Sequence, residues 1–195
     1  MVKIMQYAKE NEPEVTKYCL TVPQDAADKK SIYAIEEYAD QATFDAHCAS
    51  TPVQDLFGLF SEQPPPLEGA PTVYMLEPVH QFTRPESAAH ENAYMLFQTL
   101  TYRGGTVDEA LEAWRTVCEE TLKDEAGTLC YNILKDTKDA NKINTFEVYE
   151  SEGYLSSTRG KSQAVQDNMK KNEGIQTGRE SVSLRRVDGY LFKQA

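Results

Sequence analysis

The sequence predicts an α+β fold built from two tandem copies of one β-α-β-β-α-β unit. This order of elements is the ferredoxin-like order. Three blocks of the N-terminal half recur in the C-terminal half at nearly constant offsets, from 110 residues (Glu37 on Glu147) to 113 residues (Tyr18 on Tyr131). Both halves also show the same succession of strand-like and helix-like patterns. The matched blocks are 12–20 with 125–133, 35–40 with 145–150, and 52–55 with 164–167.

The second copy contains every element of this unit. It opens with a run of β-branched and aromatic residues that ends at the glycine pair 104–105, which predicts a strand. Thr106 is a suitable N-cap, apolar residues then recur at helical spacing, and Gly127 ends that helix. Ser151 can cap a second helix that ends by Gly174. The predicted strands are 94–102, 128–134, 143–149, and 181–186 with 189–192 as one strand or a bent pair.

The first copy follows the same order from its first helix onward, so it lacks the strand that opens the second. In such a sheet the first strand is central. Its absence leaves backbone N–H and C=O groups of the neighbouring strands that need other hydrogen-bond partners. A truncated N-terminus is the favoured explanation, and another segment that fills the gap is the alternative. The predicted elements are helix 2–9, strands 15–22 and 31–38, helix 41–60 ended by the prolines 64–66, and strand 72–76. The predicted domains are 1–82 for the first repeat, 83–92 for a linker and 93–195 for the second repeat.

Charge and composition exclude several classes of partner. The chain has 31 acidic and 20 basic residues and a formal net charge of −11, so it lacks the basic surface that nucleic acid or an anionic membrane requires. No apolar run reaches the roughly 20 residues of a membrane span, and the N-terminal sequence has no signal-peptide pattern. The four cysteines form no CxxC pair, so zinc-ligand spacing is absent. We therefore expect a cytoplasmic protein with reduced thiols and no metal.

Residues 33–47 carry a family resemblance. Their sequence, YAIEEYADQATFDAH, has a strand that ends in Glu, an aromatic residue and Asp, followed by a helix with an aromatic residue and, three residues later, His47. This pattern resembles the antibiotic biosynthesis monooxygenase domains, and the tandem copies resemble the two-domain members that are common in fungi. The resemblance implies a dimeric α+β barrel whose two half-barrels could both come from one chain, so a monomer and a homodimer both remain open. It also implies an oxygenase without metal, flavin or haem that acts on electron-rich phenols, quinols or polyketide-like carbon acids.

His47 is the candidate catalytic residue. It lies three residues after Phe44, hence on or beside the buried face of its helix. Histidine side chains titrate near neutral pH, which suits a general base that removes a phenolic proton. The alternative is a half-buried histidine bonded to a backbone carbonyl. Ser157 is matched to His47 in the second copy, which indicates that the copies no longer share one role, and Arg159 is expected to face water.

Five further residues are candidates for substrate binding. Glu37 and Glu147 are matched at strand ends, where a carboxylate could bind substrate or cap the following helix. Tyr18 and Tyr131 share a repeat position, and a tyrosine directed into the barrel could orient a phenolic substrate, stabilise an oxyanion or fill the core. Gln98 alternates with apolar neighbours and could present an inward amide. The five candidates are Tyr18, Tyr33, Glu37, Gln98 and Tyr131.

Two main functional hypotheses follow. The first is a cofactor-independent monooxygenase that uses molecular oxygen to oxidise a small aromatic, polyketide-like or other hydrophobic metabolite. The second is a non-catalytic barrel that binds a hydrophobic ligand or a partner subunit. A truncated copy without activity is a third alternative, which depends on the missing strand.

Overall fold

The computed structural model describes residues 1–60, 71–88, 90 and 92–193, and it confirms the α+β class. Its first repeat begins at a helix, as expected for a copy without the opening strand. The prolines 64–66 lie outside the described residues. The helices are α1 (Val2–Asn11), α2 (Gln41–Ala49), α3 (Thr51–Leu59), α4 (Val107–Asp124), α5 (Glu152–Ser157) and α6 (Gln163–Asn172), with 3₁₀ turns at Pro85–Ala88 and Arg159–Lys161. The strands are β1 (Val15–Pro23), β2 (Tyr33–Tyr38), β3 (Leu76–Thr83), β4 (Tyr94–Tyr102), β5 (Thr128–Asp136), β6 (Lys142–Tyr149) and β7 (Gln176–Tyr190).

The described residues form two compact units, and the second consists of Pro23–Lys29 and Tyr74–Arg185. Its strands run in the order β7-β4-β6-β5-β3, and all neighbouring strands are antiparallel. The apolar stripe of α4 packs on one face of this sheet and removes that face from water. The core residues are Leu100, Tyr102, Val107, Ala110, Leu111, Trp114, Val117, Cys118, Tyr131, Ile133, Ile143 and Ile175.

The first unit consists of the described residues within Met1–Val22, Lys30–Val73 and Arg186–Ala195. In it β1 lies between β2 and the C-terminal end of β7. Gly189 has φ +107, and a Cβ there would lie 2.1 Å from the carbonyl oxygen of Tyr18, so only glycine fits this position. The core residues are Ile4, Met5, Ala8, Val15, Tyr18, Leu20, Val53 and Tyr190.

Each repeat has two short helices where the sequence predicts one continuous helix. Ser50 separates α2 from α3, and Ser162 separates the second copy's 3₁₀ turn from α6; both serines have extended ψ angles, 146° and 130°. Pro52 explains the first break, since a proline has no N–H to donate to the carbonyl four residues earlier. In the second copy a glycine, Gly160, lies two residues before the break and weakens the helix there.

A glutamine side chain compensates at both breaks. Gln54 Nε2 donates to the carbonyl oxygen of Cys48 at 2.7 Å, and Gln166 Nε2 donates to that of Gly160 at 2.9 Å. The two breaks are therefore the same feature in both copies, which supports the tandem relation.

The strand predicted at 72–76 is wrong, because the structure has strand β3 at Leu76–Thr83. β3 pairs with β5 in the second unit, where Phe82 lies opposite Tyr131. Pro78 is tolerated because β3 is an edge strand with a bulge at this point. A polar, proline-containing segment has a low local preference for a strand, and pairing with β5 overrides this preference.

The last strand is continuous from Gln176 to Tyr190, longer than the predicted 181–186 and 189–192. It belongs to the second unit up to Arg185 and to the first unit from Arg186. The compact units thus combine separate stretches of the chain, whereas the boundaries 1–82, 83–92 and 93–195 describe repeats in the sequence and stay a prediction.

Candidate functional site

His47 lies in the last turn of α2, in the first unit. The helix begins at Asp40, whose carboxylate accepts a hydrogen bond from the backbone N–H of Thr43 at 2.8 Å. The His47 side chain is only 4% exposed. The imidazole is therefore held on the inner face of the helix, as its spacing from Phe44 predicts.

A carboxylate orients this imidazole. Glu12 is the C-cap of α1, and its backbone N–H donates to the carbonyl oxygen of Ala8. Glu12 Oε2 lies 2.6 Å from His47 Nδ1, so Nδ1 carries the proton that is donated to the carboxylate. Within the described residues Nε2 has no hydrogen-bond partner, and it is the nitrogen available to accept a proton.

The C-terminal end of α1, which carries Glu12, is held by a lysine. Lys193 Nζ donates to the carbonyl oxygens of Ala8 and Glu12 at 2.9 and 2.8 Å, and it also lies over the ring of Tyr190. A cation at the end of a helix satisfies its last carbonyls and complements the helix dipole. Lys193 therefore helps to fix the position of the Glu12 backbone.

Two tyrosine rings flank the imidazole. The ring centroids of Tyr18 and Tyr38 lie 5.7 and 5.4 Å from that of His47. The Tyr38 hydroxyl donates to the Glu36 carboxylate, which also lies close to the Tyr18 hydroxyl. Burial, together with the negative charge of Glu36, raises the pKa of both phenols well above its usual value, so both hydroxyls remain protonated donors at neutral pH.

The structure separates two predicted site residues from this cluster. Tyr33 and Glu37 alternate with Glu36 and Tyr38 along β2, so their side chains project from the opposite face of the sheet. Glu37 pairs with Lys17 Nζ and accepts a hydrogen bond from Thr16 Oγ1 at 2.8 Å. Substrate binding by Tyr33 and Glu37 remains a prediction, and neither lies beside His47.

The strand register corrects the matching of the glutamates. Tyr18 lies opposite Glu36 in the pair β1–β2, and Tyr131 lies opposite Glu147 in the pair β5–β6. Glu36 is therefore the counterpart of Glu147, and the predicted match with Glu37 is wrong by one residue. A shift of one residue moves a side chain to the other face of a sheet.

The counterpart of His47 is Arg159, so the predicted match with Ser157 is wrong. The N–H of Ser50 donates to the carbonyl of His47 at 3.0 Å, and that of Ser162 donates to the carbonyl of Arg159 at 3.1 Å. The second copy has one more residue between its N-cap and this break, which accounts for part of the error.

Arg159 is buried, at 4% exposure, and the prediction that it faces water is wrong. Its Nη1 donates to Thr121 Oγ1 at 2.6 Å and to Glu125 Oε1 at 3.2 Å. Its guanidinium carbon lies 4.5 Å from the ring centroid of Tyr131. Tyr131 is thus placed beside a buried cation, and its role in substrate binding remains a prediction.

Gln98 belongs to a buried network in the second unit. Glu147 Oε1 accepts hydrogen bonds from Gln98 Nε2 at 2.8 Å and Thr145 Oγ1 at 2.7 Å, and Glu147 Oε2 accepts one from the Tyr149 hydroxyl. Gln98 Oε1 accepts a hydrogen bond from Arg179 Nε at 2.8 Å. Gln98 does present an inward amide, and its role in binding substrate also remains a prediction.

The second unit also has an open cleft of about 560 Å³. Its lining is mostly polar, and it contains none of the predicted site residues. The lining residues are Pro23, Gln24, Asp25, Asp28, Tyr94, Glu152, Ser181, Val182 and Ser183.

The described ranges contain neither a metal-binding cluster nor a membrane-spanning helix. No set of three or more His, Cys, Asp or Glu side chains is arranged to hold a metal ion. No helix in this part of the chain combines the length and the apolar character needed to span a membrane.

The sequence alone did not single out Glu12, Glu36 or Tyr38 as site residues. A signal for Glu12 was present, because the repeat matches it with Glu125. Glu12 contacts His47 on the following helix α2, and Glu125 contacts Arg159 in the 3₁₀ turn after α5. No local pattern distinguishes Glu36 from its neighbour Glu37.

Comparison with solved structures shows the same fold. A candidate monooxygenase from Fusobacterium nucleatum subsp. nucleatum has a TM-score of 0.83 and 18% identity over 98% of this chain and 85% of its own. A candidate monooxygenase from Lactobacillus acidophilus has a TM-score of 0.79 and 16% identity over 96% and 84%. An anthrone oxidase-like protein has a TM-score of 0.64 and 13% identity over 97% and 84%.

At the level of sequence, the search of curated proteins gave no match. The family model described as antibiotic biosynthesis monooxygenase matches residues 93–167, which lie in the second repeat. This agrees with the resemblance carried by residues 33–47 of the first repeat. Residues 93–167 thus match the antibiotic biosynthesis monooxygenase domain family, and the chain as a whole has the fold of these solved proteins.

Proposed function

We propose that this chain is a cofactor-independent monooxygenase that oxidises a small aromatic or other electron-rich hydrophobic metabolite with molecular oxygen. The observation that carries the proposal is the pair formed by the buried His47 and the partly buried Glu12, with two tyrosine rings against the imidazole. The family match of residues 93–167 supports the reaction class. The cytoplasmic location and the homodimer stay predictions from the sequence.

His47 is the general base of this proposal. Nε2 accepts the acidic proton of a phenol or of a carbon acid such as the methylene group of an anthrone. The Glu12 carboxylate on Nδ1 stabilises the imidazolium that forms and holds the ring in orientation. General base catalysis of this kind contributes about 10²–10⁴-fold to a rate.

The deprotonated substrate then supplies the electrons. It passes one electron to oxygen, and the two radicals combine to form a C–O bond. For a methylene substrate the balance is R₂CH₂ + O₂ → R₂C=O + H₂O. The carbon is oxidised by four electrons and O₂ is reduced by four, so no external reductant is required.

Tyr18 and Tyr38 flank the substrate in this scheme. Their hydroxyls donate to the Glu36 carboxylate, so their oxygens are left to accept a hydrogen bond from a substrate hydroxyl, and their rings contact an aromatic substrate beside His47. Tyr38 and Glu36 are partly exposed on β2, so solvent reaches this side of the cluster.

Oxygen uptake with 1,8-dihydroxyanthrone tests the proposal. We expect His47→Ala to lower the rate by at least about 100-fold in protein that circular dichroism shows to be folded at the assay temperature. His80→Ala, at a partly buried histidine on β3, is the matched control and should change the rate by less than about twofold. Full activity in His47→Ala rejects the assignment. Thermal stabilisation by phenols without oxygen uptake in the wild type favours the non-catalytic ligand-binding alternative.

A further inference from the structure

We propose that the chain has one functional site, which lies in the first unit. The equivalent cluster in the second unit is structural, because Arg159 stands there in place of the base and keeps its positive charge. This inference rests on the proposed function, because it assigns that function to one of two equivalent clusters.

The basic residues occupy one position of the repeat. The backbone carbonyl of His47 accepts a hydrogen bond from the N–H of Ser50, and that of Arg159 accepts one from the N–H of Ser162. Both serines stand at the start of the next helix. An imidazole and a guanidinium therefore extend from equivalent points.

The acidic partners are equivalent as well. Glu12 and Glu125 are the C-caps of α1 and α4, with backbone angles of φ −121°, ψ 80° and φ −119°, ψ 76°. Glu12 Oε2 lies 2.6 Å from His47 Nδ1, and Glu125 Oε1 lies 3.2 Å from Arg159 Nη1. Both units thus pair a helix-terminal glutamate with a basic side chain.

The two pairs differ in their chemistry. Imidazole gains and loses a proton near neutral pH, whereas a guanidinium keeps its proton in proteins. The guanidinium of Arg159 therefore has no nitrogen that can accept a proton, whereas an imidazole has one. The basic residue of the second cluster already carries its proton, so this cluster cannot remove one from a substrate.

A matching change beside Arg159 stabilises the guanidinium. Thr121 stands at the repeat position of Ala8, because each carbonyl accepts the N–H of the following glutamate C-cap. Thr121 Oγ1 accepts a hydrogen bond from Arg159 Nη1 at 2.6 Å, and alanine could not provide this contact. The pair Ala8 and His47 has thus become Thr121 and Arg159.

A second matching change gives the buried carboxylate of Glu147 an additional internal hydrogen bond. Thr145 stands at the repeat position of Ala34, two residues before Glu147 and Glu36 respectively, and its hydroxyl donates to Glu147 Oε1 at 2.7 Å. Ala34 has no hydroxyl to offer Glu36. Groups whose hydrogen bonds are all internal stabilise a fold, whereas a ligand needs groups that retain free capacity.

Titration calorimetry with 2-naphthol, an air-stable phenol, tests the inference. The variant A8T/H47R gives the first unit the residues of the second, and T121A/R159H makes the reverse exchange. We expect the wild type to bind one naphthol per chain, A8T/H47R to lose at least about tenfold in affinity, and T121A/R159H to retain the site within about twofold. R159K, which keeps the charge, is the reserve variant if T121A/R159H fails to fold, and it too should retain the site.

Several outcomes overturn the inference: two naphthols or none per wild-type chain, an unchanged affinity in A8T/H47R, or loss of the site in folded T121A/R159H or R159K. A second bound naphthol in T121A/R159H alone supports it, because removing Arg159 would then have opened the second cluster. If the naphthol pattern is as expected but 1,8-dihydroxyanthrone consumes no oxygen, the proposed monooxygenase function fails and the single-site inference stands.

Discussion

The carboxylate of Glu12 lies 2.6 Å from Nδ1 of His47, although 35 residues separate them in the sequence. The contact joins the C-terminal end of α1 to the last turn of α2, and it places a charged partner behind the imidazole. Carboxylate–imidazole pairs of this kind fix one tautomer and stabilise the protonated ring.

Glu12→Gln should therefore lower the rate of oxygen uptake by about 10–100-fold. The amide retains the size of the side chain but loses the charge that stabilises the imidazolium, so the rate constant should fall more than the KM rises. Glu14→Gln, at an exposed residue that contacts Thr43, is the control and should behave as the wild type. Equal effects in both variants would contradict a specific role for Glu12.

Glu36→Gln and Glu37→Gln separate the two adjacent carboxylates. Because Glu36 lies beside the tyrosine hydroxyls, we expect its substitution to raise the KM for 1,8-dihydroxyanthrone by at least about threefold. Glu37 contacts Lys17 on the other face and should leave the KM unchanged. The reverse pattern in steady-state kinetics would support the sequence-based assignment of Glu37.

Arg159→Ala should destabilise the protein by about 3–5 kcal/mol, because it leaves Glu125 buried without its cation. Urea unfolding followed by circular dichroism measures this change. Lys161→Ala, two residues later at an exposed position, is the control and should shift stability by less than about 0.5 kcal/mol. A loss below about 1 kcal/mol for Arg159→Ala would show that the buried pair contributes little.

Stability should fall as the pH rises above about 10. Burial raises the pKa of Tyr190 to about 12, with smaller contributions from Glu12 and Glu36, and burial also raises the pKa of Tyr18 and Tyr38. Between pH 10 and 12 the unfolded chain releases phenolic protons that the folded chain retains. The free energy of unfolding therefore falls by up to about 1.4 kcal/mol per pH unit for each tyrosine. The contribution is complete below pH 10 and is lost as the pH rises. Urea midpoints at pH 9, 10 and 11 measure it, and Tyr18→Phe should flatten the decline.

Gly189→Ala should destabilise the protein by at least about 2 kcal/mol. The added Cβ would overlap the carbonyl oxygen of Tyr18, and alanine rarely adopts φ +107. Gly58→Ala is the matched control: Gly58 lies inside α3, no atom lies within 4 Å of the added Cβ, and the change should stabilise by about 0.5–1 kcal/mol. Similar melting temperatures for both variants would contradict this account.

Much of the fold could be predicted from the sequence, because the repeat gives the same pattern two chances to be recognised. The strand at Tyr94–Tyr102 and the placement of His47 on a helix agree with prediction. Strand β3 could not be predicted, since its polar, proline-containing sequence becomes a strand only by pairing with β5. Local patterns contain no information on a partner that is distant in sequence.

The candidate site was harder to predict, for a geometric reason. Whether Glu36 or Glu37 faces His47 depends on a register that changes faces with every residue. The burial of Arg159 depends on Thr121 and Glu125, which lie more than 30 residues earlier. The first feature is set by strand pairing and the second by contacts between distant side chains. Neither leaves a periodic pattern in the sequence.

Lys193 links two segments that lie far apart in the sequence. Its ammonium group holds two carbonyls of α1, one of them belonging to Glu12, across 181 residues of sequence. Loss of this lysine, by substitution or by proteolysis, would leave both residues of the Glu12–His47 pair intact and still loosen the helix end that positions them. Comparisons of activity between preparations therefore require that the peptide containing Lys193 be verified by mass.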